Sequence, residues 1–180
     1  MKKIKVQMLT KEAFAPYGNV IEAAGEYGGE AGMYNWYEKQ AQVDGADTVS
    51  INLLTAIQRE YVFGKFEAHA RTTETVLPLT GGLIVAGIPA GPVTADRVEA
   101  FYVPVGKGIS WAPGAWHYAP FPVGGDATCA VIFRPGTGAD DAVFDSLPEE
   151  MGLFLSCTHT VGGISYNFTY NLDQKITLSK

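Results

Sequence analysis

The spacing of four side chains constrains this chain more than any other feature. Glu67 and His69 lie two residues apart, Glu74 follows, and His117 closes the later stretch Gly114-Ala115-Trp116-His117. On an extended strand Glu67 and His69 point to one face. Two imidazoles and two carboxylates form a donor set suited to a borderline divalent ion such as Zn, Ni, Mn or Fe. The chain holds only 3 histidines, and two fall in this pattern. A lone buried histidine reads as a core residue with its hydrogen bonds met. Two in this spacing, with Glu74 between them, read as metal ligands, giving the set Glu67, His69, Glu74 and His117. Glu67 has a second reading, as a hydrogen-bond partner of a ligand.

A chain that brings such distant residues together needs a rigid frame. At 180 residues this one is expected to form a single domain with a sizeable core. Hydrophobic residues make up 47% and charged residues 18%, a globular balance. Its 21 glycines and 10 prolines imply many turns and, with 12% aromatic residues, favour an all-β chain. A formal net charge of −6 argues against a nucleic-acid partner. Met1 to Thr10 carries lysines but no apolar core of a signal peptide, and no apolar run reaches membrane-span length. A cytoplasmic protein is the expectation. Cys129 and Cys157 read as buried thiols, with a disulfide left open.

Along the chain, Thr10 is an N-cap candidate for a short helix that Pro16-Tyr17-Gly18 ends. Thr48 to Leu54, Tyr61 to His69, Val98 to Val105 and Thr128 to Phe133 read as strands. Leu83 to Ile88 is a continuous apolar run, expected to be buried on both faces. Gly136 to Asp141 reads as loop, and Leu147 to Glu150 as a turn or helical piece. From Ile164 to Leu172 apolar and polar residues alternate, which predicts one more strand needing a surface to cover it. That surface is the chain's own sheet or, in a dimer, a partner's.

The spacing resembles that of the cupin barrels. Their first motif reads His-x-His, then Glu, then Gly; here Glu67 stands at the first His, and His69, Glu74 and Gly81 are in register. Gly114 and His117 match the Gly-x-x-His that ends their second motif. The resemblance implies a double-stranded β-helix, that is, a jelly-roll barrel, here with a short N-terminal helix and an extra C-terminal strand. Three stretches are more specific. Leu9 to Glu22, Val49 to His69, and Ala100-Phe101 with Gly114 to Pro120 resemble the ureidoglycolate lyase family over about residues 1–150, leaving 151–180 as an extension of the single domain 1–180. This resemblance implies a homodimer that cleaves ureidoglycolate to glyoxylate and urea. Arg134 matches a family arginine. Leu53, Trp36 and Glu99 stand where the family carries arginine, Glu74 where it carries glutamine, and Tyr118 where it carries a second histidine.

A carboxylate or a phenol is needed to take a hydroxyl proton, so Glu74, Tyr102 and Tyr118 are the candidate catalytic residues. Arg134, as a clamp for a substrate carboxylate, and Trp116 are the candidate substrate-binding residues. Two alternatives remain beside the lyase: a metal-dependent cupin acting on another small hydroxy acid or a sugar, and a cupin that binds a small molecule without catalysis. The absent arginines favour the former.

Overall fold

The structure, a computed structural model, describes residues 1–25, 28, 33–45, 47–161 and 164–171, with side chains described as far as residue 155. In chain order its strands are β1 (Lys2–Met8), β2 (Gly18–Glu22), β3 (Ser50–Ala56), β4 (Val62–His69), β5 (Glu74–Pro78), β6 (Leu83–Ile88) and β7 (Glu99–Val103). They continue with β8 (Lys107–Trp111), β9 (Trp116–His117), β10 (Phe121–Pro122), β11 (Ala127–Phe133), β12 (Ala142–Val161) and β13 (Ile164–Asn171). Two helices of 4 residues, α1 (Lys11–Phe14) and α2 (Thr137–Asp140), complete the described elements. The chain is all-β, as its glycine and aromatic content predicts.

The strands form two facing sheets, one ordered β1-β7-β6-β9-β4-β12-β13 and the other β2-β8-β5-β11-β3. Successive strands pass from sheet to sheet (β3 to β4, β4 to β5, β5 to β6), the winding of a jelly roll. The larger sheet also closes on itself, because β1 pairs with β7 through Val6 to Met8 and with β12 through Lys2 to Lys5. Two cores result. Leu83, Val85, Phe101 and Val103 of the larger sheet meet Val76, Ile109, Trp111 and Val131 of the smaller one between the sheets. Inside the ring of the larger sheet lie Ile4, Phe66, Ile84, Ile88, Ala100 and Met151. Since β6 separates the cores, its odd and even residues are buried alike, and Leu83 to Ile88 has the apolar character of a strand covered on both faces.

Thr10 caps α1 by accepting from the Ala13 amide at 3.1 Å. The helix delivers Phe14 into the inter-sheet core, edge-on to Phe101 with ring centroids 5.3 Å apart. The period-2 tail forms β13, whose backbone pairs with β12 from Phe154↔Asn171 to Val161↔Ile164. Two local expectations are corrected. Leu147 to Glu150 lies within β12, where the pairing with β4 shifts register between Ser146 and Met151; pairing on both sides of Pro148 carries the strand across it. Asp140, expected in a loop, ends the one-turn α2. Position 151 is no break, since β12 runs through it while bonded to β1 and β4. Cys129 is a free buried thiol, pushed up to about 11 by burial; Cys157's side chain lies outside the described ones.

Candidate active site

The four residues that set the sequence pattern meet on the face of the larger sheet that looks toward the smaller one. Glu67 and His69 share that face of β4, and Glu67 pairs in register with His117 of β9. Glu74 begins β5 in the opposite sheet, directly after the turn that follows His69. One Glu74 carboxylate oxygen lies 3.2 Å from His69 Nε2, and the other lies 3.6 Å from His117 Nε2. Glu67 Oε1 is 3.9 Å from the same His117 nitrogen. One ligand atom each from Glu67, His69 and His117 falls within a 4.8 Å group, close enough to share an ion. The histidines are buried, whereas the Glu67 side chain is 34% exposed and marks the side from which the site is reached.

An orphaned nitrogen shows that this donor set fits a metal. His117 Nδ1 faces the Ala115 carbonyl at 3.1 Å. If it donates there, the proton sits on Nδ1 and the Nε2 lone pair points into the site, the arrangement of a metal-binding histidine. His117 Nε2 is buried without a hydrogen-bond partner. Unpaired buried nitrogens are costly, and an ion offers relief.

Trp111, which closes β8, holds the His117 ring. The indole stacks on the imidazole with centroids 5.3 Å apart and planes 13° from parallel. It reaches that position across Gly87, where a Cβ would lie 2.7 Å from a Trp111 ring carbon and 2.7 Å from the Trp116 carbonyl. Gly87 is opposite His117 in the β6–β9 register, so a glycine is needed there for the indole to lie flat on the sheet. No sequence motif marks Trp111 or Gly87; only the pairing of β6 with β9 reveals them.

The turn between His69 and Glu74 is clamped. Asp141 accepts from the amides of Ala70 at 3.1 Å and Arg71 at 2.9 Å. Although burial pushes its carboxyl up, those amides hold it below its ordinary range. Arg71 and Arg134 both bind Asp140, and the Arg134 amide donates to Thr72 Oγ1 at 3.3 Å. Arg134 is thereby committed to α2 and the turn, and its guanidinium is not presented to the site as a substrate clamp. The other three candidates do not reach the site either. Tyr102, Trp116 and Tyr118 pack against the core inside the ring, on the opposite face of the sheet from His117. Trp116 and Tyr118 flank His117 in sequence, so alternation sends them the other way. Tyr118 stacks on Phe63 at 5.4 Å, and the Trp116 indole donates to the Gly91 carbonyl at 2.9 Å.

Charge in the site is shared between Glu74 and His117. Burial pushes the Glu74 carboxyl up, but the two imidazoles outweigh it and hold it down to about 2. Burial pushes His117 down, but the Glu74 carboxylate outweighs it and raises it. In the metal-free protein the sign follows for each. The Glu74 contribution to stability is present above its ordinary 4.5 and is lost as pH falls from there toward about 2. The His117 contribution is present below its ordinary 6.5 and is lost as pH rises through the raised value. Thermal unfolding of the metal-free protein should therefore show both contributions in full between about 4.5 and 6.5, and Glu74→Gln should flatten both limbs. Unchanged limbs in that variant would disprove the pairing.

Comparison with known proteins gives this geometry a family. The chain matches the family described as Ureidoglycolate lyase over residues 1–150. A protein of Burkholderia mallei (strain NCTC 10229) named ureidoglycolate lyase is 30% identical over 161 residues, covering 85% of this chain and 94% of its own length. One of the same name from Pseudomonas aeruginosa (strain LESB58) is 31% identical over 147 residues, covering 77% of this chain and 87% of its own. Among solved structures, one from work on the reaction specificity of oxalate decarboxylase is 16% identical, with a TM-score of 0.40 over 55% of this chain and 24% of that one. With its family match running from β1 into β12 and through all four residues of the site, the chain belongs to the ureidoglycolate lyase family.

Proposed function

We propose that this protein cleaves ureidoglycolate to glyoxylate and urea at the site formed by Glu67, His69, Glu74 and His117. The observation that carries the reading is the meeting of two imidazoles and two carboxylates inside the barrel of a member of this family. Those four residues would hold a divalent ion of the Zn, Ni, Mn or Fe class. When bound, such an ion would act as a Lewis acid toward the hydroxyl oxygen of a 2-hydroxy acid. Glu74 takes the proton of the substrate hydroxyl. The carbon–nitrogen bond then breaks as the carbon–oxygen double bond of glyoxylate forms. The electron pair leaves on the ureido nitrogen, which receives the proton and departs in urea. Trp111 orients His117, and Phe133 beside His69 helps keep water from the inner wall.

A second reading, an enzyme acting on another small hydroxy acid or a sugar, is favoured by the arginines. All 4 are engaged within the protein. Arg71 and Arg134 bind Asp140; Arg97 donates to the carbonyls of Pro89, Ala90 and Pro92; Arg59 donates to those of Ala119 and Pro120. Incubating the metal-loaded protein with ureidoglycolate and following glyoxylate separates the readings. Release well above the uncatalysed rate is expected. No release with Zn, Ni, Mn or Fe would hand the site to the second reading.

The chain is taken as one domain, homodimeric and cytoplasmic. In support of a dimer, β13 pairs with β12 on one side only among the described residues, and an open strand edge invites a partner. Light scattering and cell fractionation test these two points.

A further inference from the structure

With every arginine engaged elsewhere, the site needs another cation if it is to receive an acid. We propose that Lys65, seated on the Phe144 ring at the mouth of the site, binds the carboxylate of the substrate. This rests on the proposed site and names the group that recognises its acid.

Three observations place it. Lys65 precedes Glu67 by two residues on β4, one pleat along the same face, about 7 Å between Cα atoms. The partner strand confirms the face: Glu67 is opposite Phe144 and Lys65 is opposite Ser146 in the β4–β12 register. The Lys65 ammonium lies over the Phe144 ring, 4.4 Å from its centroid. Phe144 itself is 58% exposed, a large ring left uncovered beside the most accessible of the proposed ligands. Such a ring holds the flexible lysine stem toward the mouth while leaving ammonium donors free. No carboxylate among the described residues pairs with Lys65, whereas Lys11 and Lys107 both bind Glu22. An anion entering past Glu67 meets a cation whose charge is not already compensated.

The ligand class follows from the chemistry. A 2-hydroxy acid that sets its hydroxyl against the site carries its carboxylate one bond away, and among the described residues the only unspent cation within about one pleat of Glu67 is Lys65. A neutral analogue with an amide in place of the carboxylate gains nothing from it.

The test is a binding measurement that does not depend on turnover. Glycolate and its neutral counterpart glycolamide are titrated calorimetrically into the Zn-loaded protein, into Lys65→Met and into Lys65→Arg, with metal content measured in each. Expected is a loss of about tenfold or more in glycolate affinity for Lys65→Met, substantial recovery in Lys65→Arg, unchanged glycolamide binding and unchanged zinc. Equal glycolate affinity in the parent and Lys65→Met overturns the proposal. So does a parallel loss for glycolate and glycolamide, and so does a metal-loaded parent that binds no glycolate. Glyoxylate release from ureidoglycolate is scored separately: a parent that binds glycolate through Lys65 yet releases no glyoxylate refutes the lyase reading and leaves the carboxylate subsite standing.

Discussion

Replacing His117 with alanine should lower turnover of ureidoglycolate by roughly a hundredfold or more, because loss of a group that merely supports a ligand already costs 10- to 100-fold in metal-site function. His117 is the hub of the site: its Nε2 faces both Glu67 and Glu74, and its Nδ1 is turned to the Ala115 carbonyl. The barrel should survive the change. His117 sits on a strand of 2 residues, and the surrounding sheets are held by β6, β7, β5 and β8 through pairings it does not make. Circular dichroism and thermal unfolding check the fold, and glyoxylate release checks the activity. A folded His117→Ala protein as active as the parent would refute the site even if the substrate is right.

The second large effect is expected at a residue that touches neither metal nor substrate. Gly87→Ala places a methyl group against Trp111 and the Trp116 carbonyl, both 2.7 Å from the new Cβ position. Neither neighbour moves freely. The carbonyl belongs to β9, and the indole is packed in the inter-sheet core among Phe14 and Tyr17. Overpacking of this kind costs about 1–3 kcal/mol. The indole also sets the plane of the His117 ring, so the variant should lose about tenfold or more in metal affinity as well. Denaturant unfolding and a metal titration measure the two losses. Destabilisation with unchanged metal affinity would mean that Trp111 packs against His117 without orienting it.

Much of this arrangement can be read in the sequence, for identifiable physical reasons. Strand alternation gives Glu67 and His69 one face. A buried run without a polar break makes Leu83 to Ile88 an interior strand, and a threonine before Lys11-Glu12-Ala13-Phe14 caps a helix. Alternation also decides Trp116 and Tyr118: once His117 points into the site, its neighbours point out of it. Tyr102 is harder. Phe101 and Val103 oppose it, but both faces of this sheet are buried, so burial alone does not say which one carries the metal ligands. Arg134 is lost from the site because Asp140, in a stretch that composition marks as loop, forms a helical turn and draws the guanidinium to itself. Trp111, Gly87 and Phe144 depend on cross-strand register between segments far apart in the chain, which no local pattern encodes.

The two imidazoles with Glu67 and Glu74 are proposed to form one divalent metal site. X-ray absorption at the metal edge of the loaded protein, in the parent and in the double variant His69→Ala/His117→Ala, tests it most directly. One ion per chain is expected in the parent, bound by nitrogen and oxygen only, with the multiple-scattering signature of two imidazoles, and no bound ion in the double variant. A parent spectrum without imidazole scattering, or an ion retained in the double variant, would contradict it.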